Sequence, residues 1–164
     1  MAELSASIYD YIGRTVDYLA FDGAKPDNGG EAKLSPAMVM PGKSGALTTG
    51  IQKLVQRFIL ELLTEKGSLQ YQPSRGTLFM TYLRIGYIRT TSQLIALFNS
   101  SELDIRNNLR LEEDFVNDPL DERYANAELL SATLSGDMAY LSIRIHSQAG
   151  DSRSVIYPLR VTTV

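Results

Sequence analysis

The chain of 164 residues contains no cysteine and a single histidine, His146. Without cysteine there are neither disulfides nor thiolate metal sites, a composition that fits a reducing compartment. One histidine without a second histidine or a cysteine does not make a set of zinc ligands. His146 falls on the polar face of a predicted strand, so we expect it to be structural or exposed. The sequence therefore predicts no metal and no cofactor.

Excess positive charge is also lacking, because 16 basic residues stand against 19 acidic ones and leave a net charge of -3. This balance provides no global basic field to attract nucleic acid or an anionic lipid surface. No apolar run approaches membrane-spanning length, and the first residues lack the basic and apolar regions of a signal peptide. We expect no nucleic acid and no membrane among the partners, and a cytosolic protein when it is made.

What the chain does have is one long segment with apolar residues at helical spacing. The apolar positions are Ile51, Leu54, Val55, Phe58, Ile59, Leu62 and Leu63. This rhythm gives a helix one continuous apolar stripe. Thr49 and Gln52 have the spacing of a capping box, and Lys66 followed by Gly67 is typical of a helix end. The sequence predicts a helix from about Gly50 to about Lys66, whose stripe supplies much of the core.

A loop and two further helical regions follow. Residues 69–77 read LQYQPSRGT, which is too short and too rich in helix breakers to form another regular element. Leu78, Phe79, Tyr82 and Leu83 predict a second, shorter helix that is capped by Thr77 and ends near Gly86. Caps and apolar residues recur over residues 90–109. They indicate either two helices broken near Asn99 and Ser100 or one bent helix.

The segment from the first helix through this loop carries a family resemblance. A glutamine-bearing amphipathic helix that ends in glycine, then a short extended run, Pro-x-x-Gly and a new helix, resembles the small baseplate wedge family of contractile phage tails. That family has relatives in type VI secretion baseplates. Its loop usually places an aromatic residue before the glycine, whereas here Arg75 stands between Pro73 and Gly76. The resemblance covers roughly Gly50 to Val161.

The part before Gly50 is predicted to be a separate N-terminal segment and arm, residues 1–49, joined to a domain of residues 50–164. Residues 5–21 are compatible with a short helix or with a strand. The composition of residues 22–30, DGAKPDNGG, is typical of a flexible turn or linker. Residues 34–48 contain two prolines and two glycines. We interpret them as an extended arm that lies over the domain or over a neighbour.

Gly42-Lys43-Ser44 within this arm invites comparison with a phosphate-binding loop. A Walker A loop needs a glycine five residues before the Gly-Lys pair, where Ala37 stands. It should also follow a buried strand and open a helix. We interpret the tripeptide as a solvated turn.

The end of the chain changes to the period of a strand. Ala139, Leu141, Ile143 and Ile145 alternate with other residues, so one face of this strand is buried. Strands at 127–134 and 155–161 flank it and complete a predicted three-stranded antiparallel meander. Pro158 cannot donate a ladder hydrogen bond, which predicts that the last strand lies at an edge or pairs on one side only near that residue. An edge strand can accept another subunit, here at Val155, Tyr157, Leu159 and Val161.

Asp121-Glu122-Arg123, at the entrance to the meander, strengthens the family comparison. The wedge family has a Glu-Pro-Arg triplet between the last helix and the first strand, and here an acid and the arginine are retained without the proline. The resemblance implies that this corner contacts the helical core bundle of the wedge. Arg123 is then available for a bidentate contact to a carboxylate or to backbone carbonyls. Without the family context, the triplet is interpreted as a solvated charged turn.

Catalytic candidates are few. Glu112-Glu113-Asp114 could suggest paired carboxylates, and some members of the resembled family are described as lysozyme-like. Glycoside hydrolysis needs two carboxyls about 5 to 9.5 Å apart across a cleft, one of them with a raised pKa. Adjacent residues at a helix end are expected to diverge into solvent instead. We predict no catalytic residues.

The sequence predicts an α+β fold, in which amphipathic helices pack on a small C-terminal antiparallel sheet, with an extended N-terminal arm. The resemblance implies a virion protein, assembled in the host cytoplasm: a structural baseplate subunit, present in several copies in a symmetric ring, that joins the wedge and initiates the tail sheath by strand sharing. Its implied partners are other wedge proteins, the tail sheath protein and, as further candidates, the tail tube or hub. Besides the corner and the last strand, Tyr71, Pro73 and Arg75 are the expected contacts. The alternative is a tail-associated, lysozyme-like peptidoglycan hydrolase.

Overall fold

The computed structural model describes residues 14–18, 20–23, 32–36, 47–113 and 117–161. Within them the chain has the predicted α+β architecture, with short strands first, then helices, then three long strands. The elements are β1 (Asp17–Tyr18), β2 (Phe21–Gly23), β3 (Ala32–Pro36), β4 (Leu47–Thr48), α1 (Gly50–Leu63), α2 (Phe79–Arg84), α3 (Thr91–Glu113), β5 (Tyr124–Ser135), β6 (Met138–Ser147) and β7 (Ser152–Arg160). A short 3-10 turn, Leu120–Glu122, leads into β5.

The three long strands form the predicted meander, since β6 pairs antiparallel with β5 on one side and with β7 on the other. The sheet continues past β7, because β3 pairs with it in parallel and β2 pairs antiparallel with β3. The resulting order is β2-β3-β7-β6-β5. The extended segment that precedes α1 therefore supplies strands to the main sheet, while β1 and β4 pair separately.

The prediction that the last strand lies at an edge of the sheet is wrong over the first half of β7, where Ala32 and Lys33 of β3 lie opposite Val155 and Ile156. Around Pro158 the described ladder lies on one side only, with Tyr140 of β6 as the partner. This agrees with the second arrangement that Pro158 predicted, in which the strand pairs on one side only near that residue. β5, at the other end of the sheet, is the long edge strand of the described residues.

Side chains of β7 that were expected to meet a partner belong instead to the core. Val155, Leu159 and Val161 are buried in the hydrophobic cluster, and Tyr157 packs against it half-buried. Their alternation matches a strand with one buried face. That face is covered by the chain's own helices, so these side chains are not a docking surface.

α1 buries its apolar stripe as predicted. Leu54, Phe58, Ile59 and Leu62 have no exposed surface. The ring of Phe58 stacks on Tyr124, with 5.8 Å between ring centroids and 20° between planes. This contact joins the middle of α1 to the start of β5.

α1 begins at Gly50 as predicted but ends at Leu63, before the expected Lys66. Beyond Leu63 the backbone pairs across the loop, because Thr77 N–H donates to Thr64 O at 2.8 Å and Lys66 N–H donates to Thr77 O at 2.9 Å. These bonds replace the helical ones. Gly67 is therefore not the helix stop.

α3 is one helix, without a break at Asn99 and Ser100. Its start is a capping box, since Gln93 N–H donates to Thr90 Oγ1 at 3.2 Å and Thr90 N–H donates to Gln93 Oε1 at 3.1 Å. α2 is short and buries Phe79 and Leu83.

Two short strands lie in the described part of residues 5–30. Asp17 and Tyr18 form a strand, which agrees with the strand alternative for residues 5–21. Asp22 and Gly23 belong to β2 and not to a turn. Residues 24–30 and the Gly42-Lys43-Ser44 motif lie outside the described residues. In the described part of the chain, none of the helices combines the length and the apolar character needed to cross a bilayer.

Candidate functional site

A buried carboxylate, Glu122, lies at the N-terminus of α1. The 3-10 turn delivers it there, and its Oε1 accepts hydrogen bonds from Gly50 N–H at 3.0 Å and from the Thr49 hydroxyl at 2.8 Å. An anion is favoured at this end of a helix, where N–H groups lack helical partners. Thr49 itself caps no helical N–H, so the predicted capping box with Gln52 is wrong. Glu122 takes that place.

The other oxygen of Glu122 faces a cation. Lys53 Nζ lies 3.0 Å from Glu122 Oε2, and the Thr15 hydroxyl also donates to this oxygen. Burial raises the pKa of Glu122, but the hydrogen bonds from Thr15, Gly50, Lys53 and Thr49 outweigh burial and hold the pKa below its usual value. Glu122 has no exposed surface. Its predicted role as a surface contact is therefore wrong, because it is an internal, ionised cross-link.

Residues 14–18 and Ala20, which we call the strap, lie across this corner. Arg14 pairs with Asp121, and the Thr15 hydroxyl lies 3.2 Å from Asp118 Oδ1. Gln56 of α1 holds the strap backbone at two points: its Oε1 accepts from Ala20 N–H at 2.7 Å, and its Nε2 donates to Tyr18 O at 2.8 Å. The side-chain amide thus binds the strap as a neighbouring strand would.

Arg123 makes its two-point contact within its own chain. Its Nε donates to Asp118 O at 2.8 Å, and a terminal nitrogen donates to Asn117 Oδ1 at 3.1 Å. The carbonyl and the side-chain oxygen that accept these bonds belong to the segment that precedes the 3-10 turn, and not to another subunit. Asp121, half-buried, is occupied by Arg14. The corner is thus cross-linked internally rather than solvated.

A chain of ion pairs runs along α1 from the corner to the loop. Arg57 contacts Asp118 at 3.4 Å and Glu112 at 3.1 Å, and it donates to Glu122 O at 3.2 Å. Glu112 in turn lies 3.4 Å from Arg75. The triplet and the Pro73–Gly76 loop, which carry the family resemblance, are therefore connected through α1 and the end of α3.

The loop is held by Glu61 of α1. Gly76 N–H donates to Glu61 Oε2 at 3.1 Å, and Arg75 pairs with the other carboxylate oxygen. Burial lowers the pKa of Arg75, but the contacts with Glu61 and Glu112 outweigh burial and raise it. Arg75 is thus partly buried and paired. It is not a free surface cation.

Tyr71, Pro73 and Arg75, the loop residues expected to bind a partner, line one groove. Its other wall is α3, with Asn108, Leu111 and Glu112, and its volume is about 410 Å³. Tyr71 is 90% exposed, and Leu111 is also largely exposed. The structure therefore brings the three loop residues together on an accessible surface, with Arg75 as the member already engaged.

The carboxyls considered for catalysis have different surroundings. Glu113 is buried and accepts Tyr124 N–H at 2.7 Å, and burial raises its pKa. The expectation that it points to solvent is wrong. Glu112 is paired with Arg57 and Arg75, and Asp114 lies outside the described residues. Among the described residues no cluster of acidic or histidine side chains is arranged to hold a metal ion.

No protein family, curated sequence or solved structure matches this chain. The comparison with the wedge family therefore depends on the two sequence stretches described above.

Sequence reasoning missed Gln56 and Glu61, the two α1 side chains that hold the strap and the loop. Both lie within the predicted amphipathic helix, on its polar side. A buried polar residue beside an apolar stripe has no local signature, because its partner comes from a distant segment. Glu102 with Arg106 did have one, the i, i+4 spacing of an ion pair. These two are bonded at 2.8 Å, and Glu102 also accepts the Tyr124 hydroxyl at 2.7 Å.

Proposed function

We propose that this chain is a structural subunit of a contractile-tail baseplate, which joins the wedge near the Asp121–Arg123 corner and starts the tail sheath by strand sharing. The choice of a contractile-tail baseplate as the assembly is based on the resemblance of the loop and the triplet to the wedge family. The described charged side chains of the corner and loop support a structural role, since they neutralise one another and hold backbone segments together.

The observation that carries the proposal is the outer edge of β5. This strand has twelve residues and pairs with β6 on one side. No other described strand pairs with it. A long edge with unpaired backbone groups is a template for a strand from another chain.

The regular part of this edge lies next to the hairpin turn. Register shifts occur near Tyr124 and near Leu129, whereas residues 131–135 pair without interruption with residues 138–142. In a two-residue hairpin the residues that flank the turn exchange both hydrogen bonds, and the pattern alternates from there. Ala132 and Leu134 therefore direct their N–H groups away from β6. An added strand would bond to these groups.

The loop groove supplies a second contact surface. The exposed Tyr71 and Leu111 flank it, and Glu112 lies at its end. Aromatic residues such as tyrosine are enriched in protein interfaces, where they often contribute much of the binding energy. Ion pairs connect the groove to the corner, because Glu112 of the groove contacts both Arg75 of the loop and Arg57, which reaches the corner at Asp118. One wedge protein is therefore expected to cover the groove and the corner together.

The experiment that tests the proposal is a cryo-EM map of an assembled tail that contains this chain. We expect density for the chain in the baseplate, a strand of another subunit along β5, and a neighbour over Tyr71. Density for the chain outside the baseplate, or a baseplate in which the β5 edge faces solvent, would contradict it.

The peptidoglycan hydrolase remains the alternative, and one observation favours it: the raised pKa of Glu113, a property of general acids. Its carboxyl is, however, engaged by Tyr124 N–H. Zymography on peptidoglycan separates the two functions. We expect no clearing by the wild-type protein, and clearing that is lost in Glu113→Gln would replace the structural proposal.

A further inference from the structure

The strap occupies a site that recognises both backbone and side chains. The Gln56 side chain forms hydrogen bonds with one backbone N–H and one backbone carbonyl of the strap. The Thr15 hydroxyl donates to Glu122 and accepts from Lys53 Nζ, and a hydroxyl is the small side-chain group that can do both. Arg14 brings a cation to Asp121. The site thus binds the strap as an extended peptide in which a cationic residue, Arg14, is followed by a hydroxyl residue, Thr15.

The contacts that hold the strap are polar, and its apolar side chains bury little surface. Val16 is 41% and Tyr18 71% exposed, and β1 pairs with β4 over two residues. The Arg14–Asp121 ion pair is exposed, and exposed ion pairs contribute little to stability. Segments with few buried apolar contacts open locally at a small fraction of the global unfolding free energy. The strap can therefore detach from its site without global unfolding, whereas α1 and β6 cannot.

The charges of the site also select its occupant. Asp118, Asp121 and Glu122 face the strap, with Lys53 and Arg57 between them. Lys53 and Arg57 pair with Glu122 and Asp118, whereas Asp121 pairs with Arg14, so an incoming peptide must bring a positive charge at that position. A neutral or acidic peptide would leave Asp121 without a partner.

We propose that Lys53, Gln56, Asp118, Asp121 and Glu122 form a receptor for an extended segment of a partner protein, in which a basic residue precedes a hydroxyl residue, and that the strap is its displaceable occupant. The inference rests on the proposed function in one respect, since the corner assigned to the wedge contact is the place where the strap lies. Displacement of the strap exposes Asp121 and the Gln56 amide to the partner.

The test uses the full chain and a fluorescein-labelled synthetic peptide with the sequence of residues 12–22, followed by fluorescence anisotropy. The Arg14→Glu, Thr15→Val double variant weakens the strap and is expected to bind the peptide about 10-fold or more tightly than the wild type, because the internal competitor is removed. Adding Gln56→Leu to the double variant should abolish binding. A peptide carrying the same two strap substitutions is the control and should not bind. Equal affinity of the wild type and the double variant would overturn the proposal.

Hydrogen exchange on the wild-type protein gives a second, independent readout that needs no variant. The Ala20 amide, which donates to Gln56, is expected to exchange about 100-fold or more faster than the amides of β6, through local opening. Equal protection of Ala20 and β6 would mean that the strap opens only on global unfolding, and the receptor would be rejected. Neither assay contains a tail protein, so their failure leaves the baseplate function standing. A failure of wedge assembly likewise leaves the receptor standing.

Discussion

The Glu122 carboxylate accepts a hydrogen bond from the Gly50 N–H at 3.0 Å, across 72 positions of sequence. Through this bond the turn before the meander caps the central helix, and the same carboxylate neutralises Lys53. The triplet that resembles the wedge family therefore has a structural task inside the molecule. The strap, which lies across the triplet, is what a partner would meet first.

The two buried carboxyls, Glu122 and Glu113, should respond oppositely to the same substitution. Glu122→Gln removes the charge that Lys53 and the helix terminus require, and we expect a loss of about 3 kcal/mol or more at pH 7. Glu113→Gln retains an acceptor for Tyr124 N–H and removes a charge that burial disfavours, so stability should be unchanged or higher. Urea unfolding of both variants measures this. A destabilised Glu113→Gln would show that its charge is needed.

The pH dependence follows from the directions of the two pKa shifts. The pKa of Glu122 is lowered, so its contribution is present above the unfolded value of about 4.3 and is lost as pH falls through the folded pKa. The pKa of Glu113 is raised, so its contribution is present below that unfolded value and is lost as pH rises through the folded pKa. The Glu122→Gln penalty should fade in acid, and any Glu113→Gln gain should appear only above the unfolded pKa.

Phe58 tests the core of α1. Its ring is fully buried against Tyr124 and Phe98, so Phe58→Ala should cost about 3 to 5 kcal/mol. Leu60→Ala on the same helix is the control, because Leu60 is 41% exposed and should cost far less. Denaturant melts of both variants give the comparison. Similar losses would mean that the stripe is not the main core of the isolated protein.

Gly76 tests the loop after α1. Gly76 and Gly67 both have positive φ, of 82° and 86°. A Cβ at Gly76 would lie 2.3 Å from Thr64 O, whereas nothing lies within 4 Å of one at Gly67. Gly67→Ala should cost about 1 kcal/mol from the backbone alone, and Gly76→Ala about 2 kcal/mol more, because Thr64 and Thr77 must separate. Thermal melts that rank the two equally would refute the close approach.

Arg123→Ala should destabilise the protein moderately, by about 1 to 2 kcal/mol, since it leaves Asp118 O without its charged donor. Arg160→Ala is the matched control, because that side chain is 83% exposed and its pair with Asp137 spans 3.6 Å. The control should change stability by about 0.5 kcal/mol or less. The two variants are compared by urea unfolding and by co-purification with wedge proteins. Normal co-purification of Arg123→Ala would remove the case for the triplet as a wedge contact.

Local patterns in the sequence predicted the elements and their buried faces. The stripe of α1 and the alternation of β6 each arise from neighbours in sequence, which is why Phe58 and Leu141 were correctly expected in the core. The cap of α1 was not predictable, because Thr49 with Gln52 has the local pattern while Glu122 makes the bond. Thr90 with Gln93 has the same pattern and does form the box.

Contacts between distant segments explain the remaining differences. The parallel pairing of Ala32 with Val155 has no signature in either segment, and it turned the expected edge strand into an inner one over that stretch. Arg75 was expected to contact a partner, and its pairing with Glu61 was not predictable because Glu61 precedes it by 14 positions on another element. The outer edge of β5 emerged only once the strand order was known.

The central claim, strand sharing at β5, is tested most directly by sheath nucleation on baseplates that carry Ala132→Pro, followed by negative-stain microscopy. Proline removes the outward N–H of Ala132 but leaves the β5–β6 ladder intact, and Ala132→Val is the control that adds bulk and keeps the N–H. Circular dichroism establishes that both variants are folded. We predict that Ala132→Pro baseplates nucleate sheath at least about 10-fold more slowly, as expected for the loss of one or more interface hydrogen bonds, while Ala132→Val baseplates behave as wild type. Normal nucleation by folded Ala132→Pro would contradict strand sharing at this edge.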